Sequence, residues 1–269
     1  MIISKLPRPA FLIVGLFLIA SVITPLPYVI IEPGGGRNVL GSTIQISQHK
    51  TYPVTGKLLL TTIYATSPSS SVFAGIVLKG WINGDSIVLP RELIYPPQST
   101  AKEIDAKNVQ EMVDSQADAK AAALTYLGYS IASKISKDKS GRKVTGFDFP
   151  FPIKINLKNT GGPSGGLVFA VGIIEKLTSE DLLAGRIVAG TGTMDKSGHV
   201  GGIGGIDEKL IAARRAGATI FLAPVANCAD ITRVPAGITV YSVSTLSEAV
   251  LVLKNSKRAI PHCTWQRIR

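Results

Sequence analysis

The chain has 269 residues, and its 45% hydrophobic and 17% charged content is that of a folded globular protein, which excludes general disorder. The net charge of +11 comes from scattered basic residues, without an arginine-rich helix or an aromatic-interleaved basic strand, so nucleic-acid binding is not expected. The two cysteines and three histidines have no metal-ligand spacing, so no metal or other cofactor is predicted. If the domain lies in an oxidising compartment, Cys228 and Cys263 could form a disulfide, which the sequence leaves open.

The N-terminus carries a short basic flank followed by a long apolar run. Residues 1–8 contain Lys5 and Arg8, and residues 9–31 then form 23 positions without a charge. A transmembrane helix needs about 20 apolar residues, so we predict a membrane anchor over 9–31. The positive flank precedes the run, so residues 1–8 should be a cytoplasmic tail and the bulk of the chain should be extracytoplasmic.

Two details of the anchor stay open from sequence. Pro25 and Pro27 predict that the continuous helix stops near Thr24, with the remainder at the membrane interface. A cleaved signal peptide is the competing interpretation, but Ile19-Ala20-Ser21 is a poor match to the small-residue cleavage pattern, and the apolar run continues beyond it. A retained anchor is the favoured interpretation.

Residues 32–146 are predicted to form an N-terminal extracytoplasmic region of strands followed by a helix. Residues 32–38 (EPGGGRN) indicate a turn-rich link, and residues 39–95 indicate several short strands, the clearest at 57–64. Residues 105–126 have helical periodicity, and a short helix to about 136 and a loop over 137–145 follow. The residues that fall mostly at spacings of three or four include Val109, Met112, Val113, Gln116 and Ala119.

Residues 147–269 alternate strand and helix, which predicts a compact α+β domain. Strands are predicted at 151–157, 186–194, 219–223 and 238–243, and helices at 167–177, 207–216 and 245–255. Gly217 is expected to end the second helix, and Thr245 with Glu248 to form a capping box for the third.

The stretch GGPSGG at 161–166 places Ser164 where a loop becomes a helix. Backbone N–H groups at a helix start lack intrahelical acceptors and carry partial positive charge, so they can stabilise a developing oxyanion. The competing interpretation is that Ser164 is only a helix N-cap. No G-x-S-x-G elbow is present, and His199 lies in a hydrophilic turn, so a histidine base is not favoured.

Lys209 is the alternative base for a serine nucleophile. A lysine base must be largely neutral near pH 7, which burial and a helix N-terminus both promote. Lys209 follows the apolar, glycine-rich HVGGIGGI at a predicted helix start. Its neighbours Asp207 and Glu208 would keep it charged unless both point to solvent; otherwise, Lys209 forms a surface ion pair.

Nucleotide binding is not predicted. GGIGGI lacks the acidic residue and the βαβ context of a dinucleotide site, and no G-x-x-x-x-G-K-[ST] sequence occurs.

Three segments together resemble the proteolytic domain of the Lon protease family: GGPSGG at 161–166, AGTGTMDKSGHVGGIGGIDEK at 189–209, and FLAPVANC at 221–228. The similarity is greatest to membrane-anchored, ATPase-free Lon-like proteins of bacteria, which often carry a PDZ domain. It covers about 147–269 strongly, and extends more loosely to the anchor and to residues 32–130. It implies an α+β proteolytic domain and assembly into a homo-oligomeric ring.

The resemblance also implies residue roles. Ser164 corresponds to the family's catalytic serine, Lys209 to its lysine, and Thr191 to the threonine that assists this dyad. Gly162, Pro163 and Gly165 fall in the loop expected to bind substrate and the oxyanion.

Two departures from the family pattern are visible. Gly165 stands where the family usually has alanine, and only about eighteen residues separate Gly128 from Phe147, too few for a PDZ domain of about 80 residues.

The expected function is a membrane-anchored, ATP-independent serine endopeptidase that cleaves proteins. A catalytically inactive membrane-tethered scaffold is the alternative, and an anion-binding glycine-loop protein is a weaker one.

Overall fold

The computed structural model describes residues 8–137, 143–157, 160–254 and Cys263. The helices in this part are α1 Arg8–Ile23, α2 Ala74–Ile82, α3 Arg91–Ile94, α4 Ala101–Tyr126, α5 Gly166–Leu177, α6 Ile206–Arg215 and α7 Leu246–Leu253. The first seven strands are β1 Pro25–Leu26, β2 Tyr28–Asn38, β3 Ile44–Ile46, β4 Lys57–Ala65, β5 Val72–Phe73, β6 Ile87–Pro90 and β7 Ala132–Lys137. The others are β8 Lys143–Asp148, β9 Ile153–Ile155, β10 Ile187–Gly190, β11 Thr193–Met194, β12 Val200–Gly201, β13 Ile220–Pro224 and β14 Thr239–Val243.

The chain divides into two compact units. The first combines the described residues up to Glu32 with Tyr64–Ile104, and the second combines Pro33–Ile63 with the described residues from Asp105 onward. This division differs from the predicted boundary at 146/147, because strand β4 and helix α4 pack with the C-terminal residues. Leu58 and Leu60 of β4 share one core with Leu124 of α4 and with α5.

The second unit is built on a mostly parallel sheet. Its strands lie in the order β14-β13-β10-β4-β2, and β10 pairs in parallel with both β4 and β13. Helix α5 supplies the centre of the core, since eleven of its twelve residues are buried. Parallel strands buried on both faces consist of continuous apolar runs, as in the Ile-Val-Ala-Gly of β10.

Several predicted elements of this unit are confirmed within a few residues at each end. They include α4, α5, α6 and α7, the strands β13 and β14, and Gly217, whose positive φ of 86° ends α6. Thr245 is the N-cap of α7 and accepts a hydrogen bond from the Glu248 N–H. The Glu248 carboxylate accepts from Ser244 instead of the Thr245 N–H, so the predicted capping box is half formed.

The turn-rich link predicted at 32–38 is wrong, because these residues continue strand β2. Gly34 lies against the Thr62 carbonyl oxygen, which a Cβ atom would approach to 2.5 Å, and a Cβ at Gly36 would lie 2.7 Å from Ala216 Cβ. These glycines therefore permit close approach of neighbouring chain rather than a turn.

Other sequence predictions also need correction. The short helix expected to about 136 is strand β7, and part of the loop expected at 137–145 is strand β8. Helix α2 lies where only strands were predicted, because its sequence is apolar except for Lys79, and a short apolar run does not distinguish a strand from a buried helix. The predicted strand 186–194 is interrupted between β10 and β11 at Thr191 and Gly192.

The first unit contains α1, α2, α3 and the pairs β1–β5 and β2–β6. Helix α1 ends at Ile23, next to the stop predicted near Thr24. The residues expected at the membrane interface instead enter β2, where Val29, Ile30 and Ile31 are buried. Within the ranges that the structure describes, no helix is both long enough and apolar enough to span a bilayer.

Candidate active site

Ser164 lies in the turn that leads into α5. Its side chain is half-buried, and the hydroxyl has no hydrogen-bond partner among the residues the structure describes. The N-cap position of α5 is taken by Gly165, and no side chain caps this helix. The N-cap interpretation of Ser164 is therefore wrong.

Helix α4 holds the turn from one side. The buried Ser115 hydroxyl donates to the Pro163 carbonyl at 2.9 Å, and the Asn108 carbonyl accepts from the Gly162 N–H at 2.9 Å. Because a helix interior is a rigid support, these two bonds fix the position of the backbone just before Ser164.

Thr191 holds the turn from the other side. It follows β10 at the carboxyl end of the parallel sheet and is fully buried. Its hydroxyl donates to the Ser164 carbonyl at 3.1 Å, and the Gly192 N–H donates to the same oxygen at 2.9 Å. The break between β10 and β11 thus serves to bind the serine loop.

Lys209 reaches the same hydroxyl from α6. It is the fourth residue of the helix and only 3% exposed, and its Nζ donates to Thr191 Oγ1 at 3.1 Å. Lys209 Nζ, Thr191 Oγ1 and the Ser164 carbonyl therefore form one chain of hydrogen bonds. The three residues predicted separately from sequence lie together, although the Ser164 hydroxyl and the Lys209 amine do not hydrogen-bond to each other.

Burial lowers the pKa of Lys209 to about 8. An ammonium group loses hydration in a buried site, and the N-terminal end of α6 adds partial positive charge. At pH 7 a pKa of about 8 leaves ~10% of the amine neutral, and at pH 8 about half. The direction of this pKa shift is the one that a lysine base requires.

The acidic neighbours of Lys209 do not pair with it. Asp207 accepts hydrogen bonds from the backbone N–H of Thr232, at 3.1 and 3.2 Å, and from its hydroxyl. Glu208 is only 2% exposed, which contradicts the expectation that both carboxylates face solvent. Burial raises the pKa of Glu208, and no described carboxylate forms an ion pair with Lys209, so the surface ion-pair interpretation is wrong.

Two backbone N–H groups at the start of α5 lack a hydrogen-bond acceptor among the described residues. The N–H groups of Ser164 and Gly165 have no acceptor in the part of the chain that the structure describes. The Gly162 N–H is bound to Asn108, and Pro163 has no N–H, so neither of these predicted loop residues can donate to an oxyanion. Of the predicted loop, Ser164 and Gly165 are left as candidate oxyanion donors.

A family model matches the part of the chain that contains these residues. The C-terminal proteolytic domain of Lon protease (S16) matches residues 111–255, more than half of the chain, and includes Ser164, Thr191 and Lys209. The chain belongs to this family. The match begins within α4, in agreement with the placement of this helix in the second unit.

Curated Lon proteases are similar over parts of the chain. Lon protease of Citrifermentans bemidjiense is 43% identical over 28% of this chain and 9% of its own length. Lon protease 2 of Herpetosiphon aurantiacus is 30% identical over 55% of this chain and 18% of its own. Lon protease 1 of Borreliella burgdorferi is 26% identical over 81% of this chain and 27% of its own. The chain thus covers about a quarter or less of the length of each.

Gly165, the departure from the Lon pattern, has a packing explanation. Its φ and ψ of −92° and −7° are open to any residue. A Cβ atom would, however, lie 2.8 Å from the ring of Phe169 and 3.1 Å from Leu60 Cδ1. The Phe169 ring therefore occupies the space an alanine methyl would need.

Sequence reasoning missed Ser115 and Asn108. Of the positions whose spacing predicted this helix, Met112 and Ala119 are buried, but Val109 and Val113 are 61% and 54% exposed, and Ser115, which was not among them, is buried. A buried serine on an otherwise apolar helix face was the available signal, because such a hydroxyl needs a partner. Asn108 acts through its carbonyl oxygen, which leaves no trace in the sequence.

His199 takes no part in the site. Its ring contacts Asp195 and Ser197 of the same exposed turn, in agreement with the prediction of a solvated turn residue. No group of three His, Cys, Asp or Glu side chains within the described ranges is arranged to hold a metal ion. The disulfide left open by the sequence is present, and it joins Cys228 to Cys263.

Proposed function

We propose that the chain is a serine endopeptidase in which Ser164 is the nucleophile and Lys209 the general base. The buried Lys209 amine carries this proposal. Among the described residues its one hydrogen bond goes to Thr191, and its pKa is lowered to about 8, so a base is available near neutral pH.

The proposed reaction begins when neutral Lys209 accepts the Ser164 hydroxyl proton as Oγ attacks the scissile carbonyl. The Ser164 and Gly165 N–H groups donate to the resulting oxyanion. Lys209 then returns the proton to the leaving amine, and water hydrolyses the acyl-enzyme by the same route. Thr191 accepts one N–H of Lys209, which leaves the amine lone pair free to point elsewhere.

The substrate is proposed to be protein, and cleavage to be independent of ATP. The Lon family match supports the first, and the absence of a G-x-x-x-x-G-K-[ST] sequence supports the second. Assembly of several chains into a ring is proposed from the family resemblance.

Helix α1 (Arg8–Ile23), the N-terminal part of the predicted anchor, is proposed to attach the protein to a membrane, with the catalytic domain outside the cytoplasm. Helix α1 exposes consecutive apolar side chains, Phe11, Leu12, Ile13 and Val14, around most of its circumference. A helix apolar on all sides suits a lipid environment. The Cys228–Cys263 disulfide supports an oxidising compartment.

Cleavage of an unfolded protein by the full chain in detergent, without nucleotide, tests the catalytic proposal. Ser164→Ala and Lys209→Arg should each lower kcat by about 10³-fold or more, since arginine stays charged. Activity of the parent should rise with pH through about 8, where Lys209 becomes neutral. Equal cleavage by all three proteins would contradict the Ser–Lys assignment, and no cleavage by the parent would favour the inactive scaffold.

A further inference from the structure

In the peptide unit between Pro163 and Ser164, the Pro163 carbonyl accepts a hydrogen bond from Ser115. The Ser164 N–H has no acceptor among the described residues. No cis peptide occurs in the described residues, and the carbonyl and N–H of a planar trans peptide point in opposite directions. Whatever fixes the Pro163 carbonyl therefore also fixes the direction of the Ser164 N–H, a candidate oxyanion donor.

Ser115 is the group that fixes this carbonyl. Its hydroxyl lies 2.9 Å from the Pro163 oxygen, and Ser115 is 4% exposed in the interior of α4. The Gly166 N–H also approaches this oxygen, at a longer 3.4 Å. Backbone N–H groups in a helix interior are used within the helix, so α4 can donate to the loop only through a side chain.

We propose that Ser115 is a positioning residue that orients the Ser164 N–H toward the oxyanion. The proposal rests on the proposed function and adds a residue outside the Ser164, Thr191 and Lys209 group. Ser115 touches neither substrate nor reacting atoms, because it acts through the Pro163–Ser164 peptide.

The peptide unit between Ser164 and Gly165 is also held through hydrogen bonds to its carbonyl oxygen. Thr191 Oγ1 and the Gly192 N–H both donate to the Ser164 carbonyl, so the direction of the Gly165 N–H is fixed as well. The two open donors are thus oriented from opposite sides, the first by α4 and the second by the break after β10. Loss of the Ser115 hydroxyl should therefore leave only the Ser164 N–H free to change its direction.

The test compares Ser115→Ala with Thr43→Val in the full chain. Thr43 is a matched control because its hydroxyl is also buried and donates to a backbone carbonyl, that of Asn38, away from the Ser164 loop. Steady-state kinetics would use a fluorogenic peptide copied from a mapped cleavage site. Removing one oxyanion donor costs about 10²–10³-fold in kcat, so misdirecting it in Ser115→Ala should cost about 10–100-fold with KM within about twofold.

A peptide boronic acid provides a readout that a purely structural role would not change. Its adduct with Ser164 places a boron-bound oxygen where the oxyanion forms, whereas the bound substrate does not. Ser115→Ala should weaken the boronate by about the factor lost in kcat and leave KM unchanged, while Thr43→Val should change neither. Ser115→Thr, which keeps the hydroxyl, should recover most of the lost kcat.

The outcomes separate this inference from the proposed function. An active parent with equal kcat in Ser115→Ala, or equal losses in Ser115→Ala and Thr43→Val, would overturn the role of Ser115 alone. A similar loss in Ser115→Thr and Ser115→Ala would also overturn it, if thermal denaturation shows that both are folded. A parent inactive on unfolded protein and unreactive with the boronate would overturn both.

Discussion

The starts of α5 and α6 differ from the start of α7. Helix α7 begins in the usual way, with Thr245 accepting from the Glu248 N–H at 3.2 Å and the Glu248 carboxylate accepting from Ser244. The N-cap residues of α5 and α6 are Gly165 and Gly205, and neither helix has a side-chain cap. A side-chain N-cap stabilises a helix. A helix without one leaves its first backbone N–H groups, and their partial positive charge, available to other groups.

The two uncapped starts have complementary properties. The start of α5 presents open N–H groups next to the Ser164 hydroxyl, and the start of α6 holds a buried amine whose pKa is lowered. Positive potential favours the negative charge formed at the first and disfavours an ammonium ion at the second. The same helix property therefore serves a nucleophile and a base.

The largest expected effect on stability is at the start of α6. Folding places Lys209 in a site that disfavours its charged form and lowers its pKa from 10.5 to about 8. Because one pKa unit corresponds to about 1.4 kcal/mol, this lowers the free energy of unfolding by about 3 kcal/mol at pH 7. Lys209→Met should therefore raise the free energy of unfolding by about 2–3 kcal/mol at pH 7, with peptidase activity lost. Urea denaturation measures the difference.

The pH dependence of this gain has a defined sign. The folded pKa of about 8 lies below the ordinary 10.5, so between these values the unfolded chain binds more protons and parental stability rises with pH. The advantage of Lys209→Met should stay constant below pH 8 and disappear by about pH 10.5. A variant less stable than the parent at pH 7 would contradict the account.

The next effect is at the start of α5. Gly165→Ala places a methyl group 2.8 Å from the Phe169 ring, and such overpacking costs about 1–3 kcal/mol. Gly35→Ala is the control, because a Cβ there meets no atom within 4 Å. Thermal denaturation should show a loss for Gly165→Ala alone, and Phe169→Leu should reduce that loss. Equal stability of the two alanine variants would show that the ring does not select glycine.

The smallest effect is at the start of α7. Thr245→Ala removes the cap and should cost about 1 kcal/mol, while kcat stays unchanged because α7 contributes no residue to the site. Thr245→Ser should retain most of the stability. If Thr245→Ala lowered kcat as strongly as a substitution in the Ser164 loop, the distinction between capped and uncapped starts would fail.

The sequence predicts the helices of the second unit well, because α5, α6 and α7 carry strong local signals. Their apolar periodicity, the glycines before α5 and α6, Gly217 and Thr245 each act over a few residues. Strand β2 was missed because PGGG indicates a turn unless another part of the chain packs closely against it, as Thr62 and Ala216 do here. Contacts distant in sequence determine that outcome.

In the candidate site as well, some features were predictable from the sequence and others depend on contacts made by the fold. Ser164, Thr191 and Lys209 were identified by motif resemblance, and their side chains or backbone join in one hydrogen-bond chain. The burial of Glu208 and the packing that selects Gly165 were not predictable, because both depend on neighbours supplied by the fold. The support from Ser115 was not predicted, because its hydroxyl meets the Pro163 carbonyl only when α4 packs against the Ser164 loop.

The most direct test of the central claim is the pKa of Lys209 itself. The full-length Ser164→Ala variant, with ¹³C-labelled lysine, would be titrated by NMR from pH 6 to 11, and Lys209→Met would assign the resonance. The account predicts that the resonance missing from Lys209→Met titrates at about 8, well below the ordinary 10.5. A Lys209 resonance that titrates near 10.5 would contradict the assignment of this residue as the base.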